Sequence, residues 1–456
     1  MDIHGKFVHH LGFRLIAGRD GLPGVQPFLR QLEESQYWAP AKLLEYQYRK
    51  IKALLLHACR NTSFYRERFD SIGFNPEKFG ALSELEKIPP LTRNDILEHM
   101  DSMVAANLLP NQLHRDATGG SSGIHTPFYR DNGCLGFKKA VEYRCNKWAG
   151  WDIGDKIAYY WPAVQDLAKT VPLGSRVKNE LAYRALMLYS GRLDEATLEL
   201  HRRRLGEFAP GLMRVFPNPL SILAGYLRQA GKQPIGIPSI ISVGEPLLES
   251  HRQIFRDVFG SRVFNCYVSR ECGNMACECG AEENLLHINS EMVYVEFEQI
   301  AGRDPRGPKS LLITDLFNYG MPFIRYRISD LAWPAEEACK CGRTLPLLRM
   351  DGGRLSDFLI SPVDGSLISG CSFLHHLIAE GPEVGQVQVV QDQVDHLRIN
   401  LVKSMGFSES KINHFHQTIN KIFKGAMTYD IQYVERLDNE KSGKYMFTKC
   451  LVNGKR

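Results

Sequence analysis

The chain has 456 residues and is 44% hydrophobic, which is enough for roughly two or three domains with large buried cores. Its 56 basic and 51 acidic side chains leave a formal net charge of +5, too even a balance to indicate a nucleic-acid or anionic-membrane partner. No apolar run reaches the roughly 18 residues of a membrane span, and charged and polar residues interrupt any signal-peptide pattern, so we expect a cytoplasmic protein with small-molecule partners.

The first predicted elements are helices. Apolar residues recur at helical spacing from residue 36 to residue 58, with basic residues on the other face. A break is expected around residues 61–65, and a later helix begins after Thr92, whose hydroxyl suits an N-cap. Another helix is expected over residues 134–151, followed by a strand over residues 156–161.

Helices and short apolar strands then alternate along the chain. Strands are expected over residues 211–216, 240–243 and 263–267, and helices over residues 222–230 and 247–259. This alternation is typical of an α/β protein whose sheets are covered by helices. Ligands of such sheets gather where strands end, and the polar sequences 242–245 and 267–271 stand at two such ends.

A loop rich in glycine and hydroxyl side chains covers residues 117–123. Glycine lets the backbone bend freely, so that N–H groups and Ser or Thr oxygens can point at the oxygens of a phosphate. The loop does not match a Walker-type motif, because Ile124 and His125 stand where that motif has Lys and Ser or Thr. Most loops of this composition are only turns, so the accompanying motifs decide its interpretation.

The 11 cysteines are spread unevenly, and some of them stand at positions that suit a metal site. Cys279, His287, Cys339 and Cys341 supply thiolates and an imidazole, the ligands that suit tetrahedral Zn2+. A closed site of this kind would be structural and would join distant parts of the chain. Cys277 could replace Cys279, and a group of buried free cysteines would explain the spacing about as well.

The last hundred residues have a different pattern. Paired glycines among charges at residues 351–357 suit a hinge. Beyond them, alternation over residues 387–390 and 397–401 predicts a small sheet, and the periodicity over residues 412–423 predicts a helix. We therefore expect two domains, residues 1–352 and residues 353–456.

Taken in order, these segments resemble the adenylate-forming superfamily of acyl-CoA synthetases. The likeness is strongest to the phenylacetate-CoA ligase family and its relatives in capsular polysaccharide biosynthesis, and it runs from Tyr37-Trp38 to Gly443-Lys444. It implies an α/β fold, with a large N-terminal adenylation domain of several subdomains and helix-covered sheets, and a small mobile α+β lid at the C-terminus. Members of this branch also look similar in carrying the Cys, His and Cys-x-Cys of the predicted zinc site.

The resemblance implies which residues bind the nucleotide. Gly244 and Glu245 would line the adenine pocket, while Asn265 and Tyr267 lie in the segment that ends in Glu271, the expected Mg2+ carboxylate. The phosphates of ATP would contact the glycine-rich loop, which consists of Thr118, Gly119, Gly120, Ser121, Ser122 and Gly123.

Three further residues are implied in catalysis or ribose binding. Asp330 and Arg354 would hold the ribose hydroxyls, and Lys444 on the lid would be catalytic together with Glu271. The sequence departs from the family pattern in three places. The family's loop is followed by Gly-x-Pro, whereas here the proline, Pro127, comes later. Val268 replaces a glycine and would narrow the acyl pocket, and Ile328-Ser329 replaces Thr-Gly before Asp330.

The function that the resemblance implies is AMP-forming activation of a small carboxylic acid, in the family often an aromatic one, by ATP and Mg2+. The acyl group then passes to coenzyme A. Two alternatives stay open. One is the same adenylation with an amine or hydroxyl acceptor, or adenylyl transfer, as the capsular-type likeness suggests. The other is a non-catalytic nucleotide-binding protein. A homodimer is also expected by resemblance, and no nucleic acid or membrane partner is.

Overall fold

The computed structural model describes residues 2–9, 24–117, 126–162, 179–191, 193–231, 235–300, 304–354, 358–365, 367–370, 373–374, 377, 384–403, 407, 410–435, 437 and 448–452. Within these ranges, no helix combines the length and the hydrophobicity that crossing a membrane would require.

The α-helices of the described part are α1 Ile3–Phe7, α2 Val25–Ser35, α3 Pro40–Asn61, α4 Ser63–Ser71, α5 Arg93–Met103, α6 Asn132–Trp148, α7 Glu195–Phe208, α8 Pro217–Gln229, α9 Glu249–Phe259 and α10 Ser410–Phe423. Short 3-10 helices are Pro76–Lys78, Leu82–Lys87 and Pro110–Gln112. The predicted cap of α5 is confirmed, because the Thr92 side chain accepts a hydrogen bond from the Asp95 N–H.

The strands are β1 Leu113–Ala117, β2 Pro127–Asp131, β3 Ile157–Trp161, β4 Ala185–Tyr189, β5 Leu212–Val215, β6 Ser239–Val243, β7 Arg262–Ser269, β8 Gly273–Glu278, β9 Leu286–Ile288, β10 Val293–Glu298, β11 Lys309–Asp315, β12 Tyr326–Ala335, β13 Leu347–Arg354, β14 Phe358–Ile360, β15 Leu367–Ser369, β16 Val384–Gln393, β17 His396–Lys403, β18 Thr428–Tyr433 and β19 Thr448–Cys450. Eleven of them form one sheet in the order β10-β11-β12-β13-β9-β8-β7-β6-β5-β3-β4.

One half of this sheet is parallel. Strands β4, β3, β5, β6 and β7 run in the same direction, and helices α7, α8 and α9 connect successive strands. Side chains of β3 alternate between two cores: Ala158 and Tyr160 pack with those helices, whereas Ile157 faces the other core. Such burial on both faces explains why these strands are continuous apolar runs, and the predicted α/β alternation is confirmed.

The other half of the sheet is antiparallel, and it is tied to helix α6 by a buried ion pair. The Arg144 guanidinium donates to both oxygens of Glu291, at 2.6 and 3.0 Å, and to the Asn289 side-chain oxygen at 2.6 Å. Ser35 adds a hydroxyl that donates to Glu291 at 2.5 Å. Because Arg144 and Glu291 are both fully buried, each charge depends on the other for its compensation.

A second sheet lies in the C-terminal part of the chain. Its four strands have the order β18-β17-β16-β19, and α10 contributes Phe415, Ile419 and Phe423 to a hydrophobic core that this part has for itself. The predicted small sheet with a helix is therefore confirmed. The predicted boundary after residue 352 stays a prediction.

Removing one member of the buried ion pair should be costly. We expect Glu291→Ala to lower the free energy of unfolding by about 3–5 kcal/mol, because it leaves the Arg144 charge buried without a partner. Urea unfolding followed by tryptophan fluorescence would measure it, since the Trp148 ring lies 5.2 Å from the Arg144 guanidinium. Glu45→Ala is the control, because its pair with Arg49 is about two thirds exposed. Equal effects of the two substitutions would contradict the prediction.

Candidate active site at the carboxyl ends of the parallel strands

Polar groups gather where β5, β6 and β7 end. Because these strands are parallel neighbours, the residues that follow them lie at one edge of the sheet. Glu245, just after β6, accepts hydrogen bonds from the Asn218 backbone N–H at 3.3 Å and from its side-chain amide at 2.9 Å. Asn218 lies in the first turn of α8, which follows β5 directly. The predicted Gly-Glu motif is thereby fixed to the neighbouring strand end.

Gly244 has a backbone conformation that other residues adopt only with strain. Its φ is +77°, and a Cβ built there would lie 2.6 Å from an edge carbon of the Phe216 ring. The Phe216 ring packs edge-on against Trp161 at the end of β3, with centroids 4.9 Å apart. A glycine is therefore needed for the chain to pass this aromatic pair.

The end of β7 meets strand β12. The Tyr267 hydroxyl donates to an Asp330 carboxylate oxygen at 2.8 Å, which brings two of the predicted nucleotide residues together. The Tyr326 hydroxyl donates to Glu271 Oε1 at 3.3 Å. Burial, to which the Glu271 carboxylate adds, raises the pKa of Tyr326 well above its ordinary value, so this hydroxyl stays protonated and able to donate.

A buried lysine contacts the backbone of Glu271. Lys138 Nζ donates to the Glu271 backbone oxygen at 2.5 Å and lies 2.7 Å from an Asp315 carboxylate oxygen. Burial alone would lower the pKa of Lys138, but the Asp315 carboxylate more than offsets it, so the pKa is raised and the lysine stays charged. The backbone at Glu271 is therefore held in place by a cation.

The glycine-rich loop joins the two strands of the β1–β2 hairpin, in which Ala117 pairs with Pro127. Asp116 on this hairpin forms ion pairs with Arg130 and, at 3.5 Å, with Arg270. Arg270 immediately precedes Glu271, so the β1–β2 hairpin lies beside the segment that carries this carboxylate. The Arg93 side chain donates to the hydroxyl of Thr126, which directly precedes β2, at 2.6 Å.

Several predicted residues cannot be placed in full. Residues 118–123 and Lys444 lie outside the described residues. Arg354 pairs through its backbone with Asp330, but its side chain lies outside the described part. Asn265 precedes Tyr267 by two residues on β7, and its backbone N–H donates to Glu278 at 2.8 Å. The ribose and phosphate assignments of these residues stay predictions.

Sequence reasoning missed three residues that hold the site together, namely Asn218, Tyr326 and Lys138. The Pro-Asn-Pro sequence after β5 was a usable signal for Asn218, because proline favours the first turn of a helix. Tyr326 lies inside the segment that led to Asp330. No local pattern marks Lys138, whose contact to Glu271 spans 133 residues.

The predicted zinc ligands come together. The ligand atoms of Cys279, His287, Cys339 and Cys341 all lie within 4.8 Å of one another. The Cys279 and Cys339 sulfurs are 3.5 Å apart, and the Cys341 sulfur lies 3.3 Å from His287 Nε2. Burial lowers the pKa of His287 to about 4, so the imidazole is neutral, as a ligand must be.

Cys277 belongs to a different group. Its sulfur lies within 4.8 Å of those of Cys145 and Cys266, and all three residues are buried. Cys277 faces Cys266 across the β7–β8 ladder. The arrangement therefore groups Cys279, rather than Cys277, with His287, Cys339 and Cys341.

Comparisons with known proteins agree with this architecture. Residues 359–450 match the family model described as the CapK C-terminal domain. A phenylacetate-coenzyme A ligase from Thermus thermophilus is 27% identical over 329 residues, covering 70% of this chain and 72% of that protein. A phenylacetate-coenzyme A ligase from Escherichia coli is 27% identical over 327 residues, covering 69% of this chain and 71% of that protein.

Solved structures show the same fold. A 2-hydroxyisobutyryl-CoA ligase in the postadenylation state, in complex with 2-HIB-AMP, has a TM-score of 0.74 at 17% identity and covers 91% of this chain and 92% of that chain. An anthranilate CoA ligase in complex with anthranoyl-AMP has a TM-score of 0.52 at 12% identity, covering 73% and 64%. The predicted resemblance to phenylacetate-CoA ligases and the predicted α/β fold are confirmed.

The fit of Gly244 against Phe216 can be tested by adding one methyl group. We expect Gly244→Ala to lower the free energy of unfolding by about 1–3 kcal/mol more than Gly260→Ala does, because of overpacking. Gly260 is a matched control: its φ is +65°, and an added Cβ there meets no atom within 4 Å. Chemical denaturation of both variants would measure the difference. An equal loss would show that the Phe216 ring yields without cost.

Proposed function

We propose that this chain is an AMP-forming ligase of the adenylate-forming superfamily, which activates a small carboxylic acid with ATP and passes the acyl group to coenzyme A. In the first step, a carboxylate oxygen bonds to the α-phosphorus of ATP and the bond to pyrophosphate breaks. In the second step, the sulfur of coenzyme A bonds to the acyl carbon, its proton is released, and AMP leaves. The observation that carries the proposal is that Glu245 and Glu271 follow two neighbouring parallel strands, with Tyr267 of the second strand bonded to Asp330, in a chain similar to phenylacetate-CoA ligases over most of its length.

Nucleotide binding would be shared among the strand ends. The Tyr267 hydroxyl orients the Asp330 carboxylate, which would accept hydrogen bonds from the ribose hydroxyls, with Arg354 as the second ribose residue. Gly244 and Glu245 would line the adenine pocket, where the absence of a side chain on Gly244 leaves room for the Phe216 ring. Fixing the nucleotide in this way would align the α-phosphorus with the attacking carboxylate.

The phosphates need positive charge, because the attack brings two anions together. The loop 118–123 would offer N–H groups, and Lys444 would bring a cation on the C-terminal lid. Arg93 contacts Thr126, three residues beyond this loop. Glu271 fits Mg2+, since carboxylate oxygens are the ligands this ion prefers, and the Tyr326 hydroxyl holds its Oε1 in place. Mg2+ bound there would supply further positive charge.

We also propose the arrangement of the chain that this chemistry needs. Residues 1–352 would hold the nucleotide and the acid, and residues 353–456 would form a lid that turns about a hinge near Asp357 between the two steps. The C-terminal sheet with its own core supports such a unit. A homodimer in the cytoplasm, without nucleic-acid or membrane partners, completes the proposal.

Pyrophosphate release tests the function directly. With ATP, Mg2+ and a panel of carboxylic acids, we expect acid-dependent release that turns over repeatedly only when coenzyme A is present. Lys444→Ala should lower this rate by orders of magnitude while sparing thioester formation from supplied acyl-adenylate, because its cation acts in the first step only.

The outcomes of this assay separate the roles. Lys449→Ala is the matched control in the same basic segment and should leave the rate unchanged. Release that is indifferent to every acid would overturn the proposed function. Wild-type rates from Lys444→Ala would remove that lysine from the mechanism.

A second acceptor class is favoured by one observation, the match of residues 359–450 to the CapK C-terminal domain. The C-terminal part would build the site for the second step, so its character bears on the acceptor rather than on adenylation. An amine or hydroxyl that attacks the acyl-adenylate would give an amide or ester. Acid-dependent pyrophosphate release without any benefit from coenzyme A would favour this alternative.

We propose in addition that Cys279, His287, Cys339 and Cys341 bind a structural Zn2+. Sulfur and nitrogen ligands at Zn2+ distances of about 2.3 and 2.0–2.1 Å in a tetrahedron lie roughly 3.5–3.8 Å from one another. The contacts of 3.5 and 3.3 Å between these ligand atoms are close to that spacing. The Arg343 backbone N–H, 3.4 Å from the Cys341 sulfur, would stabilise it as a thiolate.

Metal analysis tests this site. Protein purified without chelator should contain about one Zn2+ per chain, and Cys341→Ser should lower both the zinc content and the thermal stability. Cys59→Ser is the control, because Cys59 is a partly exposed free cysteine outside the group. Wild-type protein with well under one Zn2+ per chain would contradict the proposal.

A further inference from the structure

Helix α6 carries a charged pair that points toward the sheet instead of away from it. Lys139 Nζ lies 2.8 Å from Glu142 Oε1, and the Tyr159 hydroxyl donates to the same oxygen at 3.0 Å. Tyr159 is on β3, which lies inside the sheet between β4 and β5. The pair therefore faces the interior of the molecule.

This charged group lies next to the candidate active site. Lys138, the neighbour of Lys139 on α6, reaches the backbone of Glu271. On the sheet side, Trp161 follows Tyr159 by two residues and meets Phe216 edge-on. The Tyr159 and Trp161 rings lie 6.5 Å apart, so the pair contacts the same face of β3 that carries the aromatic residue at its end.

Both members of the pair stay in contact with open space. The side chains of Lys139 and Glu142 are 27% and 19% exposed, although they face a strand in the middle of the sheet. A ligand could therefore reach both charged groups from this face of the sheet. Burial alone would raise the pKa of Glu142, but the Lys139 and Arg214 cations and the hydrogen bonds from Lys139 and Tyr159 more than offset it and hold the pKa at about 2, so the carboxylate is charged.

One carboxylate oxygen of Glu142 accepts no hydrogen bond from the described residues. Both described bonds go to Oε1 of Glu142, while Oε2 has no hydrogen-bond partner among the described residues and is not fully buried. Lys139 donates one of its three N–H groups to Oε1. An acceptor oxygen and further N–H donors therefore lie side by side in a partly exposed position.

We propose that Lys139, Glu142 and Tyr159 form the far end of the acid pocket and select an aromatic carboxylic acid that carries a hydroxyl group remote from its carboxylate. This inference rests on the proposed function. The hydroxyl would donate to Glu142 Oε2 and accept from Lys139, while Trp161 and Phe216 would contact the ring. Other ring substituents fit less well: a neutral aryl amine donates to Glu142 but accepts poorly from Lys139, and Glu142 repels a second carboxylate.

Matched pairs of acids test the inference. Phenylacetate would be compared with 4-hydroxyphenylacetate, and benzoate with its 3- and 4-hydroxy derivatives, by kcat/KM for pyrophosphate release. We expect the preferred hydroxylated acid to exceed its parent by at least about tenfold, because the parent leaves polar groups of the pocket without partners. Amino and carboxy derivatives should not share this gain.

A charge-free variant separates recognition from folding. The double substitution Lys139→Met with Glu142→Gln removes both charges at similar volume, and it should bring the ratio of kcat/KM between the hydroxylated and parent acids close to one. Arg203→Met with Glu207→Gln is the matched control, since that pair is about two thirds exposed on α7. The control should keep the wild-type preference.

Two results would overturn the inference: equal kcat/KM for hydroxylated and parent acids in the wild type, or a preference that survives the double substitution. Absence of turnover with every acid would instead count against the proposed function. Calorimetry of the same acid pairs with AMP present would then decide the inference separately. Tighter binding of the hydroxylated acid that the double substitution abolishes would support it, and equal or absent binding would overturn it.

Discussion

The candidate site depends on one topological constraint, the change from parallel to antiparallel order at β7. Strands β4, β5 and β6 are each followed by a helix that covers the sheet. Strand β8, in contrast, follows β7 directly and pairs with it in the antiparallel direction. The turn between them therefore stays at the edge of the sheet where the parallel strands end. Glu271 lies in this turn, so the chain needs no long loop to bring a carboxylate beside Glu245 and the β5 end.

Helix α6 also positions residues of the candidate site, through side chains that point in different directions. Lys138 holds the Glu271 backbone, Lys139 and Glu142 face β3, and Arg144 forms the buried pair with Glu291. Removing one partner of such a buried pair typically costs about 3–5 kcal/mol, several times the value of a surface pair. Rigid anchoring of α6 at Arg144 thus fixes the position of the groups near the cleft.

The sequence predicted local features well because they have local causes. Apolar periodicity indicated the strands and helices of the parallel half, and Thr92 marked the start of helix α5. Motif order led to Glu245, Tyr267, Asp330 and Glu271 at one edge. Contacts such as Lys138 with Glu271 or Tyr326 with Glu271 could not be predicted, because hydrophobic patterns specify which face of an element is buried and not which distant residue it meets.

Two of the departures from the family pattern, Val268 and Ile328-Ser329, lie beside the Tyr267–Asp330 hydrogen bond. Ser329 has a φ of +70°, a conformation that costs a residue with a Cβ roughly 1–2 kcal/mol, and Val268 stands at a β-bulge against β8. A neutral-to-charged hydrogen bond contributes about 1.5–3 kcal/mol, so it can offset this strain with little left over. The hydrogen bond and the strained backbone together therefore add little to the free energy of unfolding. What it gains is a fixed orientation of the Asp330 carboxylate, which is the property that ribose recognition would need.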